Sequence, residues 1–417
     1  MPALELAARL LAQGALMALG LWTLRSRTDI LILAAFVVLS LLGTFVFNTN
    51  TVFVWFDGLR QYVGFLFVPP IIRYLLADKQ FRGWFVERLD RNLYRFLWLQ
   101  VPCILIQFFR YNDFDQVGGS LGYNMSGIIS NMIYLFSFYL MLRRWDPVKK
   151  YMQNIKDNFV LIFLLFPSLL NETKVSFVFV LMYFFFLIPM DRYFVKRVVM
   201  LSPVVILTFV GAVYAYNKAI GGNMLISDSK SAVEYLVGDP GSLIMVENVL
   251  ENNEEFMKND MARFLKLIIT VPIMDRNPPS WFVGYGIGQY KVGGKADDVP
   301  FAKQYWWLLI GTIMQGHMIW IELGLIGVAL YFIYWGVLLG IGRKLPGRNK
   351  QLQWFLGLNI LLSTLYSCPM IIAPYAMTFI ALILMSRVWD TLPPYKKSKL
   401  MGSREINWSL KTDEQKG

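Results

Sequence analysis

Hydrophobic residues in this chain are gathered into long runs separated by short polar stretches. Eleven such runs fall near 4–24, 30–48, 59–76, 93–110, 126–142, 158–171, 173–190, 198–216, 318–341, 351–367 and 371–386. A bilayer core of about 30 Å needs roughly twenty apolar residues in a helix, and most runs meet that length, with 158–171 falling short. The pattern predicts an all-α, polytopic membrane bundle of about eleven spans, with ten and twelve as its bounds.

One segment interrupts the rhythm. Residues 217–305 are polar, and a stretch of that length is usually functional or a small folded unit. Ser231 to Lys266 reads largely helical, because Val233, Leu236, Val246, Val249 and Leu250 recur at near-helical spacing around Asp239-Pro240-Gly241. A second helix is predicted from about Asp260 to Ile273, ending before Asn277-Pro278-Pro279. The chain therefore divides into a first bundle (1–216), a large polar loop containing short helices (217–305), a closing group of spans (306–392) and a polar tail (393–417).

Composition agrees with the runs. Only 16% of residues are charged, against roughly 25% in soluble domains, 56% are hydrophobic and the mean hydropathy is +0.47. The net charge of +12 would suit nucleic acid, but its placement does not. Loops at 25–29, 73–95, 143–157, 191–197 and 342–350, with the tail 387–417, carry 27 of the 40 basic residues. These lie on one side when alternate loops are assigned together, so the positive-inside rule puts the C-terminus in the cytoplasm and the N-terminus outside. Attraction to anionic lipid accompanies that bias. Segment 217–305 falls on the outer side, and there the bias vanishes: it holds eleven acidic and nine basic residues. Met1-Pro2-Ala3-Leu4-Glu5 lacks the basic start of a cleaved signal, so the first span is expected to be retained. Cys103 and Cys368 sit in or beside apolar runs and read as buried structural residues. With one histidine and two scattered cysteines, no metal site is called for.

That histidine, His317, stands where the loop meets a hydrophobic run, in Gly316-His317-Met318-Ile319-Trp320-Ile321-Glu322. It is the one imidazole able to exchange a proton near neutral pH, or else an interfacial helix anchor. Glu322, five residues on, lies about 140° round the helix from it and reads as a buried structural partner, since an ionisable group inside such a run needs one. In Gly284-Tyr285-Gly286-Ile287-Gly288-Gln289-Tyr290 the alternating glycines let backbone amides approach an anion, or else form a tight turn. No βαβ unit surrounds them, which excludes a dinucleotide fingerprint. Arg60, Arg110, Lys174, Arg263 and Lys266 are outer-side cations suited to phosphate, each with a competing reading as a lipid-facing or ion-paired side chain. Gly118 to Gly127, containing Asn124, opens a span and has the small residues of a cleft wall.

In order along the chain these pieces resemble the O-antigen polymerase and O-antigen ligase superfamily of bacterial envelope glycosyltransferases. The resemblance covers roughly 115–330 and rests on Phe282 to Gly288, Gln315-Gly316-His317, and Ile321-Glu322-Leu323-Gly324-Leu325-Ile326-Gly327. The family's loop-helix arginine falls on Arg263, and its glycine turn before an Asn resembles Gly119 to Gly127. Where the family has Ser-Arg at a span start this chain has Thr173-Lys174, which keeps the charge but loses the bidentate fork. The resemblance implies a metal-independent, inverting, cofactor-free transfer of a glycan from an undecaprenyl-pyrophosphate donor to an acceptor sugar hydroxyl. It also implies the outer face of an inner membrane, a GT-C-like membrane enzyme, and, by family habit, a chain-length regulator as partner. His317 is then the general base and Arg263 stabilises the pyrophosphate, with Lys174, Arg60, Lys266, Gly284, Gly286, Gly288 and Asn124 binding substrate. A polymerase would extend lipid-linked repeat units, and a ligase would load lipid A core or another acceptor. A transporter or flippase for lipid-linked glycan is the reading from another class.

Overall fold

The structure is a computed structural model describing residues 2–48, 50–110, 117–123, 125–170, 174–188, 263–291, 299–309, 311, 313–342 and 347–395, with isolated positions at 194, 196, 199 and 203. Among the described residues the chain is all-helical and has no strand; an isolated antiparallel bridge joins Val117 to Tyr123. The first helices are α1 (Pro2–Thr23), α2 (Arg27–Leu41), α3 (Val52–Ala77), α4 (Lys79–Arg110) and α5 (Ser126–Arg144). Three short pieces come next, α6 (Tyr151–Asp157), α7 (Phe159–Phe163) and α8 (Phe166–Leu170), then α9 (Lys174–Leu187). Beyond residue 262 come α10 (Arg263–Asp275), α11 (Ser280–Val283), α12 (Pro300–Leu309), α13 (Gln315–Leu339), α14 (Gly347–Tyr366) and α15 (Ala373–Arg387).

Two helical stretches are long and apolar enough to cross a membrane among the described residues, Arg27–Val46 and Gln315–Leu339. The eleven runs expected from sequence are thus not all met as such helices. The run at 198–216, apart from positions 199 and 203, and the part of the expected Ser231–Lys266 helical stretch before residue 263 lie outside the described residues. The run at 158–171 is broken into α7 and α8, and four apolar helical stretches of 10–17 residues are shorter than a span requires. The basic stretch 73–95 is not a loop: α3 runs to Ala77 and α4 starts at Lys79, because its Arg, Lys, Glu and Gln are good helix formers. The helix expected from Asp260 to Ile273 is present as α10, whereas α12 lies in a stretch that reads as loop.

Polar side chains hold the helices together from inside. Asn131 of α5 and Asn359 of α14 exchange amide hydrogen bonds at 2.6 and 3.3 Å, and the Tyr375 hydroxyl of α15 donates to Asn359 Oδ1 at 3.0 Å. Asp29 of α2 pairs with Arg73 of α3. Buried Asp90 of α4 accepts from Tyr139 at 2.6 Å and from Arg143 at 3.2 Å, both on α5. Large apolar side chains stand outside instead, among them Leu11, Trp22, Leu31, Phe53, Ile106 and Phe109.

Removing one partner of a buried ion pair strands the other. Asp90→Ala should therefore cost on the order of 3 kcal/mol, read as a lowered thermal midpoint of the purified protein. An unchanged midpoint would show that Asp90 does not hold α4 to α5.

Candidate functional site

The site grows from a break in α13. Gly324 adopts φ 65° and ψ −169°, so helical geometry stops there and resumes beyond it. The carbonyls of Ile321 and Glu322 lie within one turn before the break, where helical donors fail. Two amides from the glycine-rich turn reach them instead: Tyr285 N–H donates to Ile321 O at 2.7 Å and Gly286 N–H to Glu322 O at 3.0 Å. Satisfaction of these buried backbone groups docks the turn on the helix. The close fit needs glycine. A Cβ on Gly288 would lie 2.2 Å from the Val54 carbonyl oxygen of α3, and that residue has φ 87°.

At the centre of this junction Glu322 is fully buried. Its Oε1 accepts from the amides of Gly288 at 2.9 Å and Tyr290 at 3.1 Å, and its Oε2 accepts from the Tyr62 hydroxyl of α3 at 2.6 Å. A buried carboxylate is costly unless hydrogen bonds of this kind surround it. Glu322 is thus a structural partner, as its place in an apolar run implies, but what it partners is the glycine turn. The turn's role is corrected accordingly. The amides of Tyr285, Gly286, Gly288 and Tyr290 are taken by α13, and that of Gly284 donates to Ser280 O at 2.9 Å. Gly284, Gly286 and Gly288 therefore offer no amide to a substrate phosphate in this structure.

His317 lies one to two turns earlier on α13 and is also fully buried. Its Nε2 stands 2.8 Å from Thr270 Oγ1 and its Nδ1 3.3 Å from the Tyr290 hydroxyl. The Thr270 hydroxyl donates its single proton to Lys266 O at 2.7 Å, so towards His317 it can only accept. The imidazole proton therefore belongs on Nε2, and Nδ1 carries the lone pair. The basic nitrogen faces Tyr290 and not open solvent, a correction to the picture of an interfacial imidazole at the water's edge. Tyr290 joins the two acid–base groups, its amide on Glu322 and its hydroxyl on His317.

Arg263, Lys266 and Thr270 recur at i, i+3 and i+7 along α10 and form one buried stripe. The Arg263 Nε donates to the Tyr366 carbonyl at 3.2 Å, and its guanidinium lies 3.9 Å over the Tyr366 ring. That carbonyl ends α14, where a cation is favoured by the helix dipole, and the ring contact adds cation–π attraction. The ends of α13 and α14 meet here: Gln315 N–H donates to Ser367 O at 3.1 Å, and Cys368 Sγ lies 2.8 Å from Gln315 Oε1. Lys266 is fully enclosed beside this junction. Both cysteines are free, and Cys368 is buried.

The structure thus brings together His317, Arg263, Lys266, Glu322 and the three glycines. Arg60 stands on α3 between Gly58, which meets Gly288, and Tyr62, which donates to Glu322. The Arg60 guanidinium is held by Asp57 at 2.8 Å and Gln13 at 2.9 Å, and Asp57 also pairs with Lys291. Lys174 opens α9, but its side chain lies outside the described residues, as does Asn124. The nearby Gly119–Leu121 turn is clamped by Gln100 and Gln107 of α4, which bond its backbone at 2.7–2.9 Å. It is part of the helix packing.

Sequence reasoning misses several members of the site. Tyr290 closes the glycine stretch, and Thr270 continues the helical spacing of Arg263 and Lys266, so both leave a readable signal. Tyr62 and Tyr366 leave none, because they join through space from α3 and from the last turn of α14. On the far side of the glycine turn, Asn48, Asn50, Arg276, Asn277, Gln289 and Tyr305 line a polar cleft of about 300 Å³ with Tyr285. Burial raises the Tyr285 hydroxyl to about 12, so it stays protonated at physiological pH and donates to Ile273 O at 2.9 Å.

The interlock and its carboxylate are each open to test by substitution. Gly288→Ala should abolish folded protein, judged by a monodisperse peak in detergent, whereas Gly83→Ala, with no atom within 4 Å of an added Cβ, should not. Equal yields would refute the interlock. Glu322→Ala should cost roughly 3–5 kcal/mol, because it orphans buried donors, and Glu322→Gln should cost clearly less by retaining an oxygen for the two amides; equal losses in thermal midpoint would contradict this. No family model matches the chain, and no curated protein matches it in sequence.

Proposed function

We propose that the chain is a multi-span inner-membrane glycosyltransferase that polymerises a surface glycan from an undecaprenyl-pyrophosphate-linked donor. The observation that carries this reading is the fixed imidazole: Thr270 holds the proton on Nε2 and leaves Nδ1 as a base under the Tyr290 hydroxyl. A sugar hydroxyl is a poor nucleophile, and a positioned base is worth about 10²–10⁴-fold in such a transfer. The Tyr290 contact, at 3.3 Å, is the longer of the two on the ring. Tyr290 must yield its place at Nδ1 to the acceptor hydroxyl for direct base catalysis. Arg263 and Lys266, one turn apart, are cations suited to charge growing on the leaving pyrophosphate. Lys174 and Arg60 remain candidates only for outlying contacts with the lipid-linked donor. Displacement at the anomeric carbon in one step inverts its configuration, and a retained linkage in the product would exclude that step.

The membrane reading, with about eleven spans, an outer N-terminus and a cytoplasmic C-terminus, is supported by two things. The basic residues cluster in alternate stretches between the apolar runs. Apolar side chains face outwards while Asn131, Asn359, Glu322 and His317 are enclosed, the reverse of what water favours. A chain-length regulator is the expected partner. A ligase differs only in its acceptor. The break in α13 beside a buried carboxylate also suits a transporter, whose sites use interrupted helices.

His317→Ala and Arg263→Ala, at matched membrane levels, should each reduce long glycan chains to single repeat units on a gel, by at least 100-fold for His317. Loss of all attached glycan would indicate a ligase instead. Unchanged chain length would leave His317 as a structural residue and remove the mechanism. Glycosidic bond formation by the purified protein in detergent, with no second compartment, would eliminate a transport-only account.

A further inference from the structure

The polar cleft beside the glycine turn has features that the fixed imidazole and the cationic stripe leave unused. Gln289 is 1% exposed and lines the cleft. Its Oε1 accepts from the Phe301 amide at 3.1 Å, while its buried Nε2 has no hydrogen-bond partner among the described residues. A buried amide donor left empty forfeits its hydrogen bond to water, and a ligand would restore one. Opposite acceptors are present. Asn50 spends its Nδ2 on Tyr285 O at 3.0 Å and Asn277 spends one Nδ2 proton on Asn48 Oδ1 at 3.1 Å, so each keeps its own Oδ1. Donors and acceptors side by side match hydroxyl groups, which both give and accept.

The remaining wall is aromatic. Phe301 lies between Tyr285 and Tyr305, with ring centroids 4.7 and 4.9 Å away. Such a wall suits the C–H face of a sugar ring. Arg276 also lines the cleft, as do Pro300 and Gln304; the arginine is exposed, and no carboxylate pairs with it among the described residues. At about 300 Å³, the cleft sits at the small end of ligand pockets, roughly 300–1,000 Å³. Its geometry also ties it to the imidazole, because Gln289 precedes Tyr290, whose hydroxyl faces His317.

We infer that this cleft binds a pyranose carrying an acidic group, with Gln289 and the two asparagines on its hydroxyls and Arg276 on its carboxylate. The inference rests on the glycosyltransferase reading for its purpose, since the cleft would then seat an acceptor sugar, but binding itself needs no catalysis. The test uses full-length protein in detergent and saturation-transfer NMR. The probes are the methyl glycosides of glucuronate, galacturonate, glucose and galactose, with inorganic pyrophosphate as a competitor.

At least one uronate should receive saturation. Its signal should fall at least threefold in Gln289→Glu, which keeps the acceptor for Phe301 but replaces the free donor by an anion. It should fall likewise in Arg276→Gln, with both variants matching wild type in thermal midpoint. No saturation of any sugar, or equal signals in both variants and wild type, overturns the inference. Loss of the sugar signal to pyrophosphate alone would also overturn it, making the cleft a phosphate site. His317→Ala separates the two proposals, because it should stop polymerisation and leave uronate saturation intact. If wild type binds uronate yet forms no glycosidic bond, the transferase reading falls and the cleft stands. If it polymerises without binding any probe, the cleft alone falls.

Discussion

A single buried carboxylate sets the geometry of the centre. Glu322 is stable only because three donors from distant parts of the chain converge on it, two turn amides and the Tyr62 hydroxyl. Desolvating an ionised carboxylate without such donors would cost several kcal/mol. The requirement works in both directions: the donors fix the carboxylate, and the carboxylate fixes the turn, α3 and α13 against one another. The surroundings of His317, the cleft and the cationic stripe all depend on where that turn lies.

The glycine turn serves two sides at once. One side spends its amides on the broken helix, and the next residues present Gln289 to the cleft and the Tyr290 hydroxyl to the imidazole. A small displacement of the turn would therefore disturb both the basic nitrogen and the cleft wall. Positions held this way are rigid because close-packed backbones have no slack: Gly58 of α3 and Gly288 meet with no room for a Cβ on either.

Much of the helical order is legible in the sequence because hydrophobic runs report helices directly. Helices α1, α2, α5, α9, α13, α14 and α15 sit on such runs, while the basic stretch ahead of residue 93 reads as loop and is helix, since charge says nothing against a helix. His317, Arg263, Lys266 and Glu322 are visible as unusual residues at unusual places. Their partners are not, since a Tyr62–Glu322 contact spans 260 positions and leaves no local pattern. The alternating glycines are conspicuous, but the acceptor met there is the Glu322 carboxyl: spacing shows that amides can approach an acceptor, not whose acceptor it is. Neither the orphaned Gln289 amide nor the cleft is foreseeable, because the cleft exists only once Asn48 and Asn50 are brought to Arg276, Gln289 and Tyr305.

The separation along the chain between Tyr62 and Glu322 has a consequence during synthesis. At roughly 5–20 residues per second, the tyrosine waits on the order of 10–50 s for its acceptor to be made. The glycine turn emerges only some thirty residues before the acid it cradles, so the nascent chain carries two empty halves of one lock. A nascent chain stalled before residue 322 would hold α3 and the turn with nothing to join them, the two turn amides and the Tyr62 hydroxyl still lacking their shared acceptor.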